Sequence, residues 1–446
     1  MPSSPLTRAI GLPHATAIVV GIIIGASVFV QASEITARVP SLWGVTLAWV
    51  TAGLLTLGGA LVCAELSSAF PRTGGVYVFL REIYSPALGF LWGWAMFWSM
   101  HTGIAAEIAT VFARYAAYFV PMGDTALRGV AVGAILVLSA VNYLGVRFGS
   151  GVQTAFTLVK VIAVAAIIAA GAVLNPVASA TGAATVPTGF GAGDFLLAVG
   201  AGLFAFGGWH MVTYTAEETK NPERTIPRSL VLGTLIVTVC YVGLNVVYLS
   251  VLPIDRVIAS SRVAADTFEA LVGPAGGSFV SALVMLSAFG ALNGVILAGP
   301  RVYYSMAQDG LLFKWAAEVH PTNRTPGRAI VLQGLWAAVL VLTGTYRDLF
   351  TRVIYTEWIF FALLAIGVVL LRRRPGYHPQ WRMPGVPAIP MVFAVAALAI
   401  AANQIRVDPT NSAMGLLMVL AGLPVYWWWV RHAPGSGGQR ARARSG

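Results

Sequence analysis

Runs of about twenty apolar residues follow one another along almost the whole chain, and nothing constrains its folding more. Each run is long enough to cross roughly 30 Å of hydrocarbon. Inside hydrocarbon every backbone amide and carbonyl needs a partner within the protein, which these segments find as helices. Twelve spans are expected, near 14–36, 44–69, 87–119, 126–146, 152–173, 194–216, 227–252, 276–307, 328–345, 350–371, 387–405 and 411–431. Length identifies them, because buried and lipid-facing sides are equally apolar and periodicity cannot separate them. The composition agrees: 57% of residues are hydrophobic and 10% charged, against about 25% charged in soluble domains. The chain is read as an all-α integral membrane protein.

Its net charge of +11 follows from loop topology rather than from nucleic acid. With the N-terminus inside, 19 Lys and Arg fall in cytoplasmic segments and 7 in outer ones. That asymmetry, with an even number of spans, predicts a cell-membrane protein with cytoplasmic N- and C-termini. No cleavable signal peptide separates from the first span. Cys63 and Cys240 both lie inside apolar runs, which argues against a disulfide framework or a thiolate metal site, and no cofactor motif stands in a believable context.

Further segments sit between or beside the spans. Residues 1–13 form a cytoplasmic N-terminus. Residues 73–86 read as a short inner or re-entrant helix, and 174–193 as an uncharged outer loop. Residues 254–270 suggest an amphipathic outer helix, and 432–446 a disordered basic tail beside anionic lipid headgroups.

Two spans are thinned at mid-membrane. "GIIIGASVFV", residues 21–30, carries Gly21, Gly25, Ala26 and Ser27. "GLFAFGGWH", residues 202–210, carries Gly202, Ala205, Gly207 and Gly208. Taken alone, Gly21 and Gly25 make a GxxxG helix-packing face. A second glycine-rich stretch in the sixth span changes that reading. Spans 1–5 (14–173) and 6–10 (194–371) are two groups of five. An odd number inverts the second group, and interrupted helices at matching places in inverted halves point to a secondary transporter's binding site. Broken backbone in hydrocarbon costs several kcal/mol per unsatisfied group, so it survives where it lines a cavity or meets a ligand. Free N–H groups suit a carboxylate and free carbonyls an ammonium. Together they would hold an amino acid.

At these residues the chain resembles the L-type branch of the amino acid–polyamine–organocation superfamily. The similarity runs through "GIIIGASVF" (21–29), "AELSSAFPRTGGVYVFL" (64–80), "GLFAFGGWHMVTYTAEETKNPERTIPRSL" (202–230), "SAFGALNGVILAGPRVYYSMAQDG" (287–310) and "GLPVYWW" (422–428). The resemblance implies an inverted five-plus-five repeat with two further C-terminal helices (387–431), and amino acid transport by alternating access. It implies that backbone N–H groups of Ala26, Ser27 and Val28 receive a substrate carboxylate. Carbonyls of Ile23, Phe204, Ala205 and Gly207 would receive its ammonium, with Phe204 as an aromatic gate. It also implies that Lys160 sits against the first break, where sodium-coupled relatives bind a cation. The sequence departs from the family where Gly25-Ala26-Ser27 replaces Gly-Ser-Gly, and where His210 and Glu357 replace asparagines found in other members. With no cysteine near 120–126, a disulfide-linked heavy chain is not expected.

Lys160 in span 5 is costly at mid-bilayer, by at least about 2.5–3.5 kcal/mol. His101 and Glu107 in span 3, His210 and Glu357 are further ionisable groups within spans, and each is a candidate proton relay. For His101 the alternative is a neutral, hydrogen-bonded core residue. Glu65 and the cluster Glu217, Glu218, Lys220 and Glu223 suggest ion pairs that latch one access state. Trp92, Trp94, Trp98, Trp427, Trp428 and Trp429 suggest an interfacial belt. A membrane enzyme finds no support, since no catalytic constellation appears at workable spacing. A permease for neutral L-amino acids, working by exchange or proton symport, fits best. Phe204, Phe206 and Trp209 favour neutral substrates. Glu357 keeps a cationic amino acid or polyamine carrier open, and an amino acid-sensing transceptor would use the same breaks.

Overall fold

The computed structural model describes residues 6–25, 27–174, 190–260 and 262–432. Ala26, most of the expected outer loop and residues 433–446 of the expected tail lie outside them. The described residues form helices joined by short connections, with one isolated parallel bridge between Ile10 and Thr219. Nine of these helices are long and apolar enough to cross a membrane, and the apolar helices Leu12–Ile23 and Gly327–Thr343 are shorter. The chain is a multi-pass membrane protein.

The first expected span is divided into α1 (Leu12–Ile23) and α2 (Ser27–Arg38). The second is α3 (Leu42–Ala69), started by Ser41, whose hydroxyl accepts the Gly44 N–H. The expected inner helix is α4 (Val76–Ile83). The third span is α5 (Pro86–Ala95), one π turn over Met96–Met100, and α6 (His101–Phe119). The fourth and fifth are α7 (Asp124–Leu144) and α8 (Val146–Leu174). In the sixth, α9 (Ala192–Ala205) gives way to a 3-10 segment over Trp209–Glu218.

After it come α10 (Pro222–Val251) and, in place of one outer helix, two short ones, α11 (Ile254–Ala259) and α12 (Val263–Val272). The eighth span is α13 (Pro274–Ala298) followed by α14 (Pro300–Gln308). Pro300 supplies no N–H, so the chain restarts there rather than continuing one ladder. The ninth and tenth are α15 (Gly327–Thr343) and α16 (Tyr346–Leu371). The last two are α17 (Ala388–Val407) and a divided helix, α18 (Pro409–Leu420) with α19 (Gly422–His432).

The divided first and sixth spans have their breaks inside the bundle. α1 packs against α8, α10 and α13, and the 3-10 segment against α1, α3 and α10. A buried amide network joins α7, α13 and α8 to α1. Asn142 donates to Asn293, Asn293 donates to Gln153, and Gln153 and Thr157 reach the Ala17 carbonyl of α1. Satisfied networks of this kind fix helix register in a core that is otherwise uniformly apolar. Close approach does the same at Gly21, where a Cβ would stand 2.2 Å from both Gln153 Nε2 and Thr157 Oγ1.

Candidate functional site

α1 ends where its sequence runs out of bulk. The Ile24 N–H still reaches the Val20 carbonyl, but the Gly25 N–H turns back to the Ile23 carbonyl at 2.7 Å, and α2 begins afresh at Ser27. Two of the carbonyls freed at this break, of Gly21 and Ile24, are taken by one ammonium. Lys160, 1% exposed, donates from Nζ to Gly21 O at 3.0 Å, Ile24 O at 2.7 Å and Ser287 O at 3.0 Å. Ser287 Oγ adds a second bond to Ile24 O at 2.9 Å. An ammonium has three donors, and here each has a carbonyl.

α9 stops at Ala205. The Gly207 N–H bonds the Phe204 carbonyl at 3.0 Å, and Gly208 turns the chain with φ 91° into the 3-10 segment. Only glycine takes that backbone shape without cost, and a Cβ there would also stand 2.4 Å from Cγ2 of Ile22. The two breaks therefore touch. Tyr241 of α10 joins them: its hydroxyl lies 2.8 Å from the Ile23 carbonyl and 3.1 Å from the Ala205 carbonyl. Phe206 is fully buried, with its ring 5.0 Å from that of Tyr241 and 6.2 Å from that of Trp49.

The expected residues thus divide. Ile23, Gly25 and Val28 of the first break are buried, Ser27 is half-buried, and Ala205 is buried beside them. Ile23 and Ala205 are brought together, but their carbonyls already hold the Tyr241 hydroxyl. Phe204 is 38% exposed, and Gly207 is exposed next to it. Tyr241 and Ser287 were not singled out from the sequence. A tyrosine in an apolar helix and a serine beside small residues carry no local signal of what they face.

His210 and Glu357 meet on the far side of the second break, with Nε2 and Oε1 3.6 Å apart. The His210 ring is enclosed by those of Trp92, Trp209, Tyr214 and Phe361, at 4.9 to 5.7 Å between centroids. His101 lies beyond Tyr214, at 5.5 Å, and its Nδ1 is 3.1 Å from the Tyr303 hydroxyl. His101 is therefore half of what was expected of it. One nitrogen is bonded in the core, while Nε2 has no partner among the described residues. Trp92 corrects the interfacial reading: it is fully buried against His210 and Phe360, whereas Trp427 and Trp428 are over half exposed. The π turn accounts for part of this. The His101 N–H bonds Met96 O, five residues back, so the helix face changes between Trp92 and His101.

Two ion pairs close the same end of the bundle. Glu218 and Arg301, both fully buried, make two hydrogen bonds at 2.7 and 2.9 Å. Glu65 takes Arg372 at 3.0 and 2.6 Å and also the Met383 N–H. The bond to Glu65 holds the Arg372 guanidinium above its ordinary pKa, and burial pushes the nearby Tyr377 phenol up. The expectation of ion pairs at Glu65 and in the 217–223 cluster matches this geometry.

Comparison with known proteins adds the wider frame. A family model described as amino acid permease matches residues 10–424. The serine/threonine exchanger SteT of Bacillus subtilis (strain 168) is 31% identical, over 95% of this chain and 97% of its own length. The human b(0,+)-type amino acid transporter 1 is 29% identical, over 96% of this chain and 89% of its own. The human cystine/glutamate transporter is 27% identical, over 95% and 86%. These relatives are transporters or exchangers, and this chain is a transporter rather than an enzyme. A break in each of two buried helices, closed by a lysine and a tyrosine inside a multi-pass bundle, is thus found in a member of the amino acid permease family, in the L-type branch of the amino acid–polyamine–organocation superfamily.

Proposed function

We propose that this permease carries neutral L-amino acids across the cell membrane by alternating access, with both termini cytoplasmic. Its frame would be twelve spans, in which 14–173 and 194–371 are inverted repeats and 387–431 adds the last two. The substrate carboxylate would meet N–H groups of Ala26, Ser27 and Val28 at the start of α2, where the helix dipole favours negative charge. Its ammonium would meet carbonyls of Ile23, Phe204, Ala205 and Gly207, displacing the Tyr241 hydroxyl from two of them. Gly25 keeps the first break narrow. Phe204 and Phe206 would bound the substrate side chain, with His210 and Glu357 at its polar limit.

The observation that carries this reading is the Tyr241 hydroxyl, held between a carbonyl of each break. It supports one shared receptor instead of two unrelated helix defects. Sodium coupling is not proposed, because the Lys160 ammonium already places a positive charge against the Gly21, Ile24 and Ser287 carbonyls at the first break. No disulfide-linked partner is proposed either, since Cys63 and Cys240 are buried and free. Glu357, with its side chain 15% exposed beside the second break, favours a cationic amino acid as the second reading.

Purified protein in liposomes tests both. Vesicles are loaded with unlabelled L-serine, L-threonine, L-alanine, L-leucine or L-lysine, and uptake of the labelled form is followed. Counterflow with one or more of the first four is expected. Counterflow with L-lysine alone would support the second reading, and none with any of the five would overturn both.

A further inference from the structure

We infer that Glu357, His210, Tyr214, His101 and Tyr303 form a proton relay, and that amino acid movement is coupled to it; this deepens the transport reading above and rests on it. The relay starts at the proposed site and leads away from it. Glu357 is 15% exposed at its side chain, while His210, Tyr214, His101 and Tyr303 are 0 to 2% exposed. His210 Nδ1 and Nε2, the Tyr214 hydroxyl and His101 Nε2 have no hydrogen-bond partner among the described residues. Of the twelve such buried side-chain atoms among the described residues, these four lie side by side. A buried polar group without a partner costs about 1–3 kcal/mol, so a cluster of them gains from any water or proton it can take up. They are contiguous: ring centroids are 5.6 Å apart from His210 to Tyr214 and 5.5 Å from Tyr214 to His101, and His101 Nδ1 is 3.1 Å from the Tyr303 hydroxyl.

The charges around the cluster leave the proton mobile. Cys63 from α3, His101 from α6, Tyr303 from α14, Glu357 from α16, and His210 and Tyr214 of the 3-10 segment are the titratable groups that face it. Among the described residues, the ion-pair partner of Glu357 is His210 and no arginine or lysine. A guanidinium would fix the carboxylate in one charge state. An imidazole can share a proton with it and give that proton up. Spans 3, 6, 8 and 10 each supply a member, so a movement of the second break changes the spacing of the whole set.

The steps balance. A proton taken from the outer side with the substrate is held between Glu357 Oε1 and His210 Nε2. When the inner side opens, the pair gives it to the Tyr214 oxygen, whose own proton passes to His101 Nε2. His101 then releases its Nδ1 proton to the Tyr303 oxygen, and the Tyr303 proton leaves to water. His101 is left as its Nε2 tautomer and resets when Nε2 gives its proton to the entering water and Nδ1 takes one back from water, with no net proton gained or lost. Links longer than a hydrogen bond are bridged by water entering with the opening.

The test uses the full chain in liposomes that contain a pH-sensitive dye, with labelled L-serine and then L-leucine outside and an inward proton gradient. Wild-type protein is expected to accumulate the amino acid and to acidify the lumen as it does so. His101→Gln and Tyr303→Phe lie outside the proposed substrate contacts. They are expected to keep counterflow within about twofold while losing gradient-driven accumulation by about a hundredfold, the low end for losing a proton-transfer group. Tyr303→Phe removes a single hydroxyl, so the inference stays testable if the histidine variant misfolds. Counterflow in wild-type protein with no accumulation driven by the proton gradient, or accumulation without acidification of the lumen, would overturn the relay and leave the transport reading standing. So would variants that keep the wild-type ratio of protons to amino acid. Absence of all amino acid movement in wild-type protein would remove both.

Discussion

Two side chains, Tyr241 and Lys160, hold the broken backbone in its present form, and they hold it differently. Tyr241 has one proton to offer to two carbonyls, so its bond is exchangeable and, in the proposed cycle, a substrate ammonium would take its place. Tyr241→Phe leaves both carbonyls short of a donor, a loss of about 1–3 kcal/mol. With no hydroxyl left for the substrate ammonium to displace, its expected result is a fall in the half-saturating amino acid concentration of about tenfold in vesicle uptake; unchanged kinetics would remove Tyr241 from the site. Lys160 makes three bonds at once and has none to spare. Lys160→Ala would leave the Gly21, Ile24 and Ser287 carbonyls unpaired or reduce them to the help of Ser287. Turnover is expected to fall by more than about tenfold, with the protein held in one access state. Replacing external sodium by choline is expected to leave wild-type uptake unchanged.

Among the elements, the broken helices were legible and their closures were not. Gly25, Gly207 and Gly208 announce themselves in the sequence, because small residues in the driest part of a span have no reason in lipid contact alone. Lys160 was legible for the opposite reason, as the costliest residue in its span. Tyr241, Ser287 and the Asn142–Asn293–Gln153 network were hidden, since their function lies in partners 36 to 263 residues away along the chain. Trp92 misled because a tryptophan six residues into a span resembles an interfacial anchor until the neighbouring helices are placed.

The turn at Gly208 is the element-scale feature most exposed to substitution. Gly208→Val would force both a left-handed backbone and an overlap with Ile22, and transport is expected to be lost. Gly25 is different, with its nearest neighbour for a Cβ at 3.8 Å, on Ala291. Gly25→Ala is therefore expected to fold and to retain part of its uptake, whereas Gly25→Leu is expected to reach the membrane and carry nothing. Normal uptake by the leucine variant would place the substrate elsewhere.

Across the whole molecule, buried ion pairs do what apolar packing cannot in a membrane, which is to distinguish one arrangement of helices from another. Glu218 and Arg301 are fully buried, so removing one partner strands the other. Arg301→Met is expected to cost about 3–5 kcal/mol, read as a lower thermal midpoint in detergent, and Glu218→Gln with Arg301→Met together to recover much of it. Beside that pair, the chain ahead of α1 is stitched to the segment that follows the second break. Ala9 and Ile10 donate to the Glu218 carbonyl, both at 2.9 Å, and Lys220 donates to Ile10 at 2.8 Å. Main-chain bonds of this sort do not depend on which side chains are present, and substitution cannot easily loosen them. The chain ahead of α1 and the segment after the second break are thus riveted into one lever, and in the proposed cycle any stroke that empties the site would have to swing both or snap the rivet.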